Sequence, residues 1–340
     1  MKLVTFHEQG HARAGVVVGE HVLDLVTALV SFEEAHGRKA DASTVKERYG
    51  EGVLGFIEHN TEARPAADQM VAWHTEKKLP PAVRVYALAD LTLLAPIPRP
   101  PSMRDGYAFR QHVETARKNR GLEMIPEFDQ FPVFYFTNHQ SVIGPGEVGV
   151  QKQHLDRLDF ELEAAIVIGK QGKNVPASRA DELIFGMTIM NDFSARALQM
   201  EEMKLSLGPA KGKDFATALG PFLVTLDELA PHTKKTANGA VFDLKMRAMV
   251  NRIEVSRGNV KDMNWTFAQI IERASYGVTL YPGDVIGSGT CGTGCFLELN
   301  GSKVTHNQWL AAGDTVTLEI QGMGRLENTV VLEDETPYVA

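Results

Sequence analysis

The segment "LDFELEAAIVIGK", Leu158 to Lys170, carries three acids at alternate positions straight into an apolar run. On a strand, side chains alternate between faces, so Asp159, Glu161 and Glu163 point one way and Phe160 and Leu162 the other. The continuation "AAIVIG" reads as a strand buried on both faces, which carries the acids into the protein. Like charges in that position need a cation or shifted proton affinities. Whatever this chain folds into must answer that requirement.

Other acids are placed to contribute. Asp192 closes the apolar run "FGMTIM" and precedes a helix, at the C-terminal mouth of an expected strand. That position suits a helix N-cap as well as a ligand. Asp105 stands near the start of "RDGYAFRQH". An all-oxygen set without Cys or His favours a hard cation, Mg²⁺, Ca²⁺ or Mn²⁺, over zinc.

The rest of the chain reads as two units. A length of 340 residues suits roughly two domains. Residues 1–95 open with short strand patterns, "LVTF", "AGVVVG" and "HVLDL", and continue through helical patterns in "STVKERYGEGVLGFIEHN" and "ARPAADQMVAWHTEK". His7, His11 and His21 are not spaced as a ligand set and read as surface or packing residues. Pro96, Pro98, Pro100 and Pro101 make an extended connector, which sets the boundary between 1–95 and 96–340. Beyond it strands predominate, "CFLELNG" among them, with helices at "SARALQMEEMK" and "TFAQIIERASYG" and tight turns at "GPGE", "LGPF" and "YPGD". The fold class is α+β, dominated by β structure.

Charge and composition exclude several partners. The net charge is −8 with no basic stripe to track a phosphate backbone, so nucleic acid is excluded as a partner. The N-terminus is interrupted by His, Glu and Arg before a signal core could form, and no run of apolar residues reaches the length of a membrane span; a cytoplasmic location is expected. Cys291 and Cys295 in "TCGTGC" read as small residues of a glycine-rich turn rather than a metal or redox pair.

His112, eight residues after Arg104, is by itself either a surface residue of a helix start or a general base. The motifs "DGYAFRQH" (Asp105–His112), "DFELE" (Asp159–Glu163), "NDFSARALQ" (Asn191–Gln199), "GKDFATALGP" (Gly212–Pro221), "YPGDVIGSGT" (Tyr281–Thr290) and "FLELNG" (Phe296–Gly301) agree in order and spacing with one family. Across about 95–330 the chain resembles the fumarylacetoacetate hydrolase family, and its first strands resemble the small SH3-like barrel that precedes the catalytic β-roll in the fumarylacetoacetase branch.

The resemblance implies a mixed β-sandwich roll and a homodimer. It implies a divalent metal, Mg²⁺ or Ca²⁺, held by Asp105, Glu161, Glu163 and Asp192 with Lys213 and Thr217 beside it. It further implies a His112–Glu298 dyad that activates water, Lys213 facing the developing negative charge, and Tyr107, Tyr135, Arg196, Gln199 and Thr290 contacting substrate oxygens. The expected activity is hydrolysis of a carbon–carbon bond in a 1,3-diketo acid such as fumarylacetoacetate or an acylpyruvate, in aromatic amino acid catabolism. Related alternatives are the decarboxylases, isomerases and hydratases that share the metal site; a binder without catalysis would need the metal set alone. The segment after His112 differs from the family's substrate-clamping loop. Arg117 and Arg120 are candidates for the distal substrate carboxylate, and Arg110 adds local positive charge.

Overall fold

Strand Leu162–Ile168 is buried along its whole length, and the alternation of its side chains sets the layers. In the computed structural model, which describes residues 1–119 and 121–334, Leu162, Ala164, Ile166 and Ile168 enter one hydrophobic core. Ala165 and Val167 enter a second core on the opposite face. The first core is closed by a facing sheet through Met246, Ala248, Val316 and Leu318. The second is closed by the helices Val53–Glu58 and Asn60–Thr75 through Phe56, Ile57, Ala63 and Ala66. Burying one Leu or Ile side chain is worth about 1.5–3 kcal/mol, so a strand covered on both faces holds its register firmly.

The main sheet runs, in spatial order, Val85–Ala87, His21–Asp24, His11–Val18, Lys2–Glu8, Thr217–Thr225, Ile184–Asp192, Leu162–Ile168, Val285–Gly287, Met103–Gly106 and Phe134–Phe136. Neighbours along this path are antiparallel except Val285–Gly287 and Met103–Gly106, which are parallel. The facing sheet runs Ile253–Asn259, Lys245–Val250, Thr315–Ile320, Gly324–Asp334 and Gly146–Gln151. The β-dominated mixed fold is therefore as expected.

Three local expectations are corrected. The first strands do not close into a barrel: Lys2 and Leu3 pair with Val224 and Leu223, so this strand's free edge is taken up by the main sheet. Both large sheets are open among the described residues. The helical pattern at 43–60 divides into Ala42–Tyr49 and Val53–Glu58, because Gly52 adopts φ 106°, a left-handed value that interrupts a helix. The stretch "FLELNG" forms the helix Phe296–Gly301 rather than a strand. Its first amides, those of Phe296 and Leu297, donate to the buried Asp159 carboxylate at 2.7 and 2.9 Å, a cap supplied from a distant strand.

Besides the single turns Ala177–Ala180 and Leu226–Leu229, one longer helix was not anticipated. Leu25–Ala35 follows directly on the strand His21–Asp24, and the Asp24 side chain caps it by accepting from the Thr27 amide at 2.8 Å. Among the described residues no helix is long and apolar enough to cross a membrane.

Candidate functional site

Register brings the acids together. Thr217 lies opposite Asp192, Met190 opposite Glu163, Ala165 opposite Gly287, Gly287 beside Asp105, and Asp105 opposite Tyr135. The site residues thus form a row across six neighbouring strands at one end of the sheet. Asp192 closes its strand and does not cap the following helix, whose N-cap residue is Ala195.

Carboxylate oxygens of Asp105, Glu161 and Glu163 fall within 4.8 Å of one another, and all three residues are buried. Asp192 joins them through shared partners. Lys213 Nζ donates to Glu161 and, at 2.7 Å, to Asp192; the Tyr135 hydroxyl also donates to Asp192, and Thr217 donates to it at 3.2 Å. Arg196 is divided between Asp159 at 2.9 Å, Glu161 at 2.8 Å and the Gln199 side-chain oxygen at 2.9 Å.

The strand "DFELE" is not continuous. It breaks at Phe160 and Glu161, between Leu158–Asp159 and Leu162–Ile168. The Glu161 amide leaves the ladder and donates to the Asn191 side chain at 2.9 Å. Asp159 consequently parts from Glu163 and serves the arginine and the helix terminus, while Glu161 and Glu163 stay with Asp105.

The charges are unevenly answered. Burial acts to raise Glu161, but Lys213 and Arg196 outweigh it and hold that carboxyl down at about 2. Burial, then the neighbouring Asp192, push Asp105 up to about 7. Burial and Asp105 hold Glu163 well above the ordinary carboxylate range. Burial also raises Asp192. Lys213 is raised in turn, the pull of Asp192 and Glu161 exceeding the cost of its burial.

Asp105 and Glu163 receive a backbone donor instead of a cation. The Gly289 amide reaches Asp105 Oδ1 at 3.0 Å and Glu163 Oε2 at 3.1 Å, and the Thr290 hydroxyl reaches Glu163 at 3.4 Å. Gly289 adopts φ 78°, and a Cβ there would stand 2.5 Å from the Gly106 carbonyl oxygen. Glycine is required for the amide to point at the acids.

On the other side lies His112, buried in the helix Arg110–Lys118. Its Nδ1 is 2.7 Å from Glu298 Oε2, and its ring stands edge-on to Tyr107 with centroids 5.7 Å apart. Arg110 pairs with Asp129, and Arg117 Nε donates to the Glu123 carbonyl at 2.5 Å, so both serve the segment after the helix. Arg120 lies outside the described residues. The exposed His7, His11 and His21 stand apart, on the first three strands.

The matched family model, "Fumarylacetoacetate (FAA) hydrolase C-terminal", covers residues 102–331, the span that holds the carboxylates, Lys213, Arg196, His112 and Glu298. The chain belongs to the fumarylacetoacetate hydrolase family. Among its relatives, the oxaloacetate tautomerase YisK of Bacillus subtilis is 29% identical over 270 residues, 78% of this chain and 81% of that protein. The mitochondrial oxaloacetate tautomerase FAHD2A of Homo sapiens is 32% identical over 250 residues, 73% of this chain and 72% of that protein. The family fold extends over almost the whole chain: the crystal structure of maleylpyruvate hydrolase from Sphingobium sp. SYK-6, in complex with manganese(II) and pyruvate, matches with a TM-score of 0.68 at 22% identity, covering 98% of this chain and all of that one. The chain is an enzyme of this superfamily, and a small-molecule substrate fits it.

The donor set suits a divalent cation. Five buried carboxylates, Asp105, Asp159, Glu161, Glu163 and Asp192, face two buried cations, Lys213 and Arg196. The deficit is concentrated at Asp105 and Glu163, whose oxygens converge without a positive partner. Oxygen ligands of this kind select a hard ion.

Proposed function

We propose that this protein hydrolyses a carbon–carbon bond in a 1,3-diketo acid, of the class of fumarylacetoacetate or an acylpyruvate. The observation that carries this reading is the buried 2.7 Å contact between His112 Nδ1 and Glu298 beside the carboxylate row. With Nδ1 donating to the carboxylate, the ring presents Nε2 as an acceptor, the tautomer needed to take a proton from water.

Asp105, Glu161, Glu163 and Asp192 would hold the divalent ion, Mg²⁺, Ca²⁺ or Mn²⁺, with Thr217 and Lys213 supporting Asp192. Such an ion, when bound, supplies Lewis-acid polarisation of the substrate's carbonyl oxygens. His112 Nε2 removes a proton from water as its oxygen bonds to the carbonyl carbon. The carbon–carbon bond then breaks, its electron pair passing to the enolate of the departing fragment. Glu298 stabilises the imidazolium through Nδ1–H, and Lys213 offsets the negative charge that develops. The enolate carbon finally takes up a proton, giving two acids. Arg196, itself held by Gln199, fixes Glu161; Tyr107, Tyr135 and Thr290 line the approach to the substrate.

A second reading, keto–enol tautomerisation of a 2-oxo dicarboxylic acid, is favoured by the two named tautomerases among the relatives. There His112 would move a proton from carbon to oxygen, with no water consumed and no bond cleaved between carbons. A panel of fumarylacetoacetate, fumarylpyruvate, simpler acylpyruvates and oxaloacetate, with Mg²⁺ supplied and products identified, separates the two. Two acids from a diketo acid support hydrolysis; faster enol–keto exchange of oxaloacetate, with all diketo acids left intact, removes it.

A further inference from the structure

Cys295 ends the turn "TCGTGC" and stands just before the helix Phe296–Gly301, to which its side chain gives no capping bond. Its sulfur, a ring nitrogen of His112 and a carboxylate oxygen of Glu298 all lie within 4.8 Å of one another, and all three residues are buried. A second observation points to a ligand. Glu298 uses Oε2 on His112, but its Oε1 is buried and has no hydrogen-bond partner among the described residues. A desolvated carboxylate oxygen without a partner is costly, and it belongs to a carboxylate that lies beside a sulfur and an imidazole.

Thiolate, imidazole and carboxylate are the three side-chain ligand types that zinc takes. The carboxylate row offers none of the softer two, so the two sets discriminate between hard and borderline ions. We propose that His112, Cys295 and Glu298 form a second metal site, for Zn²⁺, which switches the enzyme off by occupying the imidazole. Binding releases the thiol proton to solvent, and thiolate plus carboxylate then neutralise the dication, which suits a buried position. Tetrahedral zinc with bonds of about 2.0–2.3 Å sets its ligands roughly 3.3–3.7 Å apart, so ligand atoms within 4.8 Å of one another need to close by at most about 1.5 Å, while the 2.7 Å His112–Glu298 contact has to open. A water would complete the fourth position. Burial and the nearby Asp159 raise the Cys295 thiol well above its ordinary value, which keeps it protonated and unreactive without metal.

The switching half rests on His112 acting as the base; the metal site does not. Cys291 provides an internal control, because it is also buried in the same turn but packs beside Gly258 and Gly294, outside the trio. The test uses the full-length protein with Mg²⁺ saturating. Co²⁺ is titrated as a spectroscopic probe, and Zn²⁺ inhibition is measured in parallel on the wild type, Cys291→Ser and Cys295→Ser. Serine is a favoured N-cap residue, so Cys295→Ser should fold, and its basal turnover verifies that.

The expected result is a thiolate-to-cobalt charge-transfer band in the wild type and Cys291→Ser that is missing from Cys295→Ser. Zinc at about ten times its Kd should leave roughly one-tenth of the activity in the first two and leave Cys295→Ser unaffected. No band in the wild type, or the same band in Cys295→Ser, overturns the site. Equal inhibition of all three proteins, relieved by more Mg²⁺, would instead put zinc in the carboxylate row and overturn it as well. A normal band without inhibition would retain the metal site, overturn the switch, and count against His112 as the base.

Discussion

The two ends of the carboxylate row are made of the same residue types and have opposite electrostatics. At one end, Glu161 is held by Lys213 and Arg196 and lies at about 2; at the other, Asp105, which accepts from a glycine amide and has no bonded cation among the described residues, is pushed up to about 7 by burial and Asp192. Burial alone therefore does not decide how a carboxylate behaves here. The first end is a finished ion-pair network. The second is an acceptor waiting for positive charge, and the comparison locates where a divalent ion gains most.

That contrast can be broken by experiment. The largest expected effect lies just outside the row. His112→Gln or Glu298→Gln should lower turnover by about 10²- to 10⁴-fold while Mg²⁺ binding, read by calorimetry, is unchanged. Normal turnover in either variant would remove the dyad. Next is the finished end. Arg196→Met strips buried Asp159 of its cation and Glu161 of one of its two, and should destabilise the chain by about 3–5 kcal/mol, measured by urea unfolding.

The unfinished end should respond in the other direction. Asp105→Asn should raise the thermal midpoint of chelator-treated protein, and should abolish the stabilisation of about 2.7 kcal/mol that Mg²⁺ at 100 times its Kd gives the wild type. A chelated variant no more stable than the chelated wild type would show that the repulsion is already relieved. The smallest effect is in pH. A carboxyl raised in the folded state contributes stability below its unfolded pKa of ~3.9 and loses it as pH rises through the folded value of about 7. Chelated wild type should therefore lose stability over that window, and Asp105→Asn should lose less of it. Identical profiles would contradict the asymmetry.

Sequence made much of this accessible, and its failures have identifiable causes. Leu162–Ile168 was legible because six residues in a row lack polar side chains, and Asp192 because it ends such a run. Strict alternation misplaced Asp159: the backbone breaks after it, since the Glu161 amide turns to Asn191 rather than to a neighbouring strand. The same break explains why "FLELNG" is a helix, as its cap comes from an acid more than 130 residues away, which no local propensity contains. The N-terminal strands were recognised as strands, but which edge they join depends on pairing with Val224 and Leu223. Asp105 and Glu298 could not be linked to the other site residues by spacing. The spacing in "GSGT" was the available signal for Gly289, whose left-handed backbone aims an amide at two acids.

The row at the sheet end also has a consequence for timing. Asp105, Glu163 and Asp192 are brought level only by pairings that join Met103–Gly106 to Val285–Gly287, and Leu162–Ile168 to strands on both sides. Until those distant segments have met, a nascent or partly folded chain holds only scattered single acids with no shared affinity for an ion. Cofactor loading then becomes a late event, a mark that the sheet is complete, and metal limitation would leave an assembled but unloaded protein rather than an unfolded one.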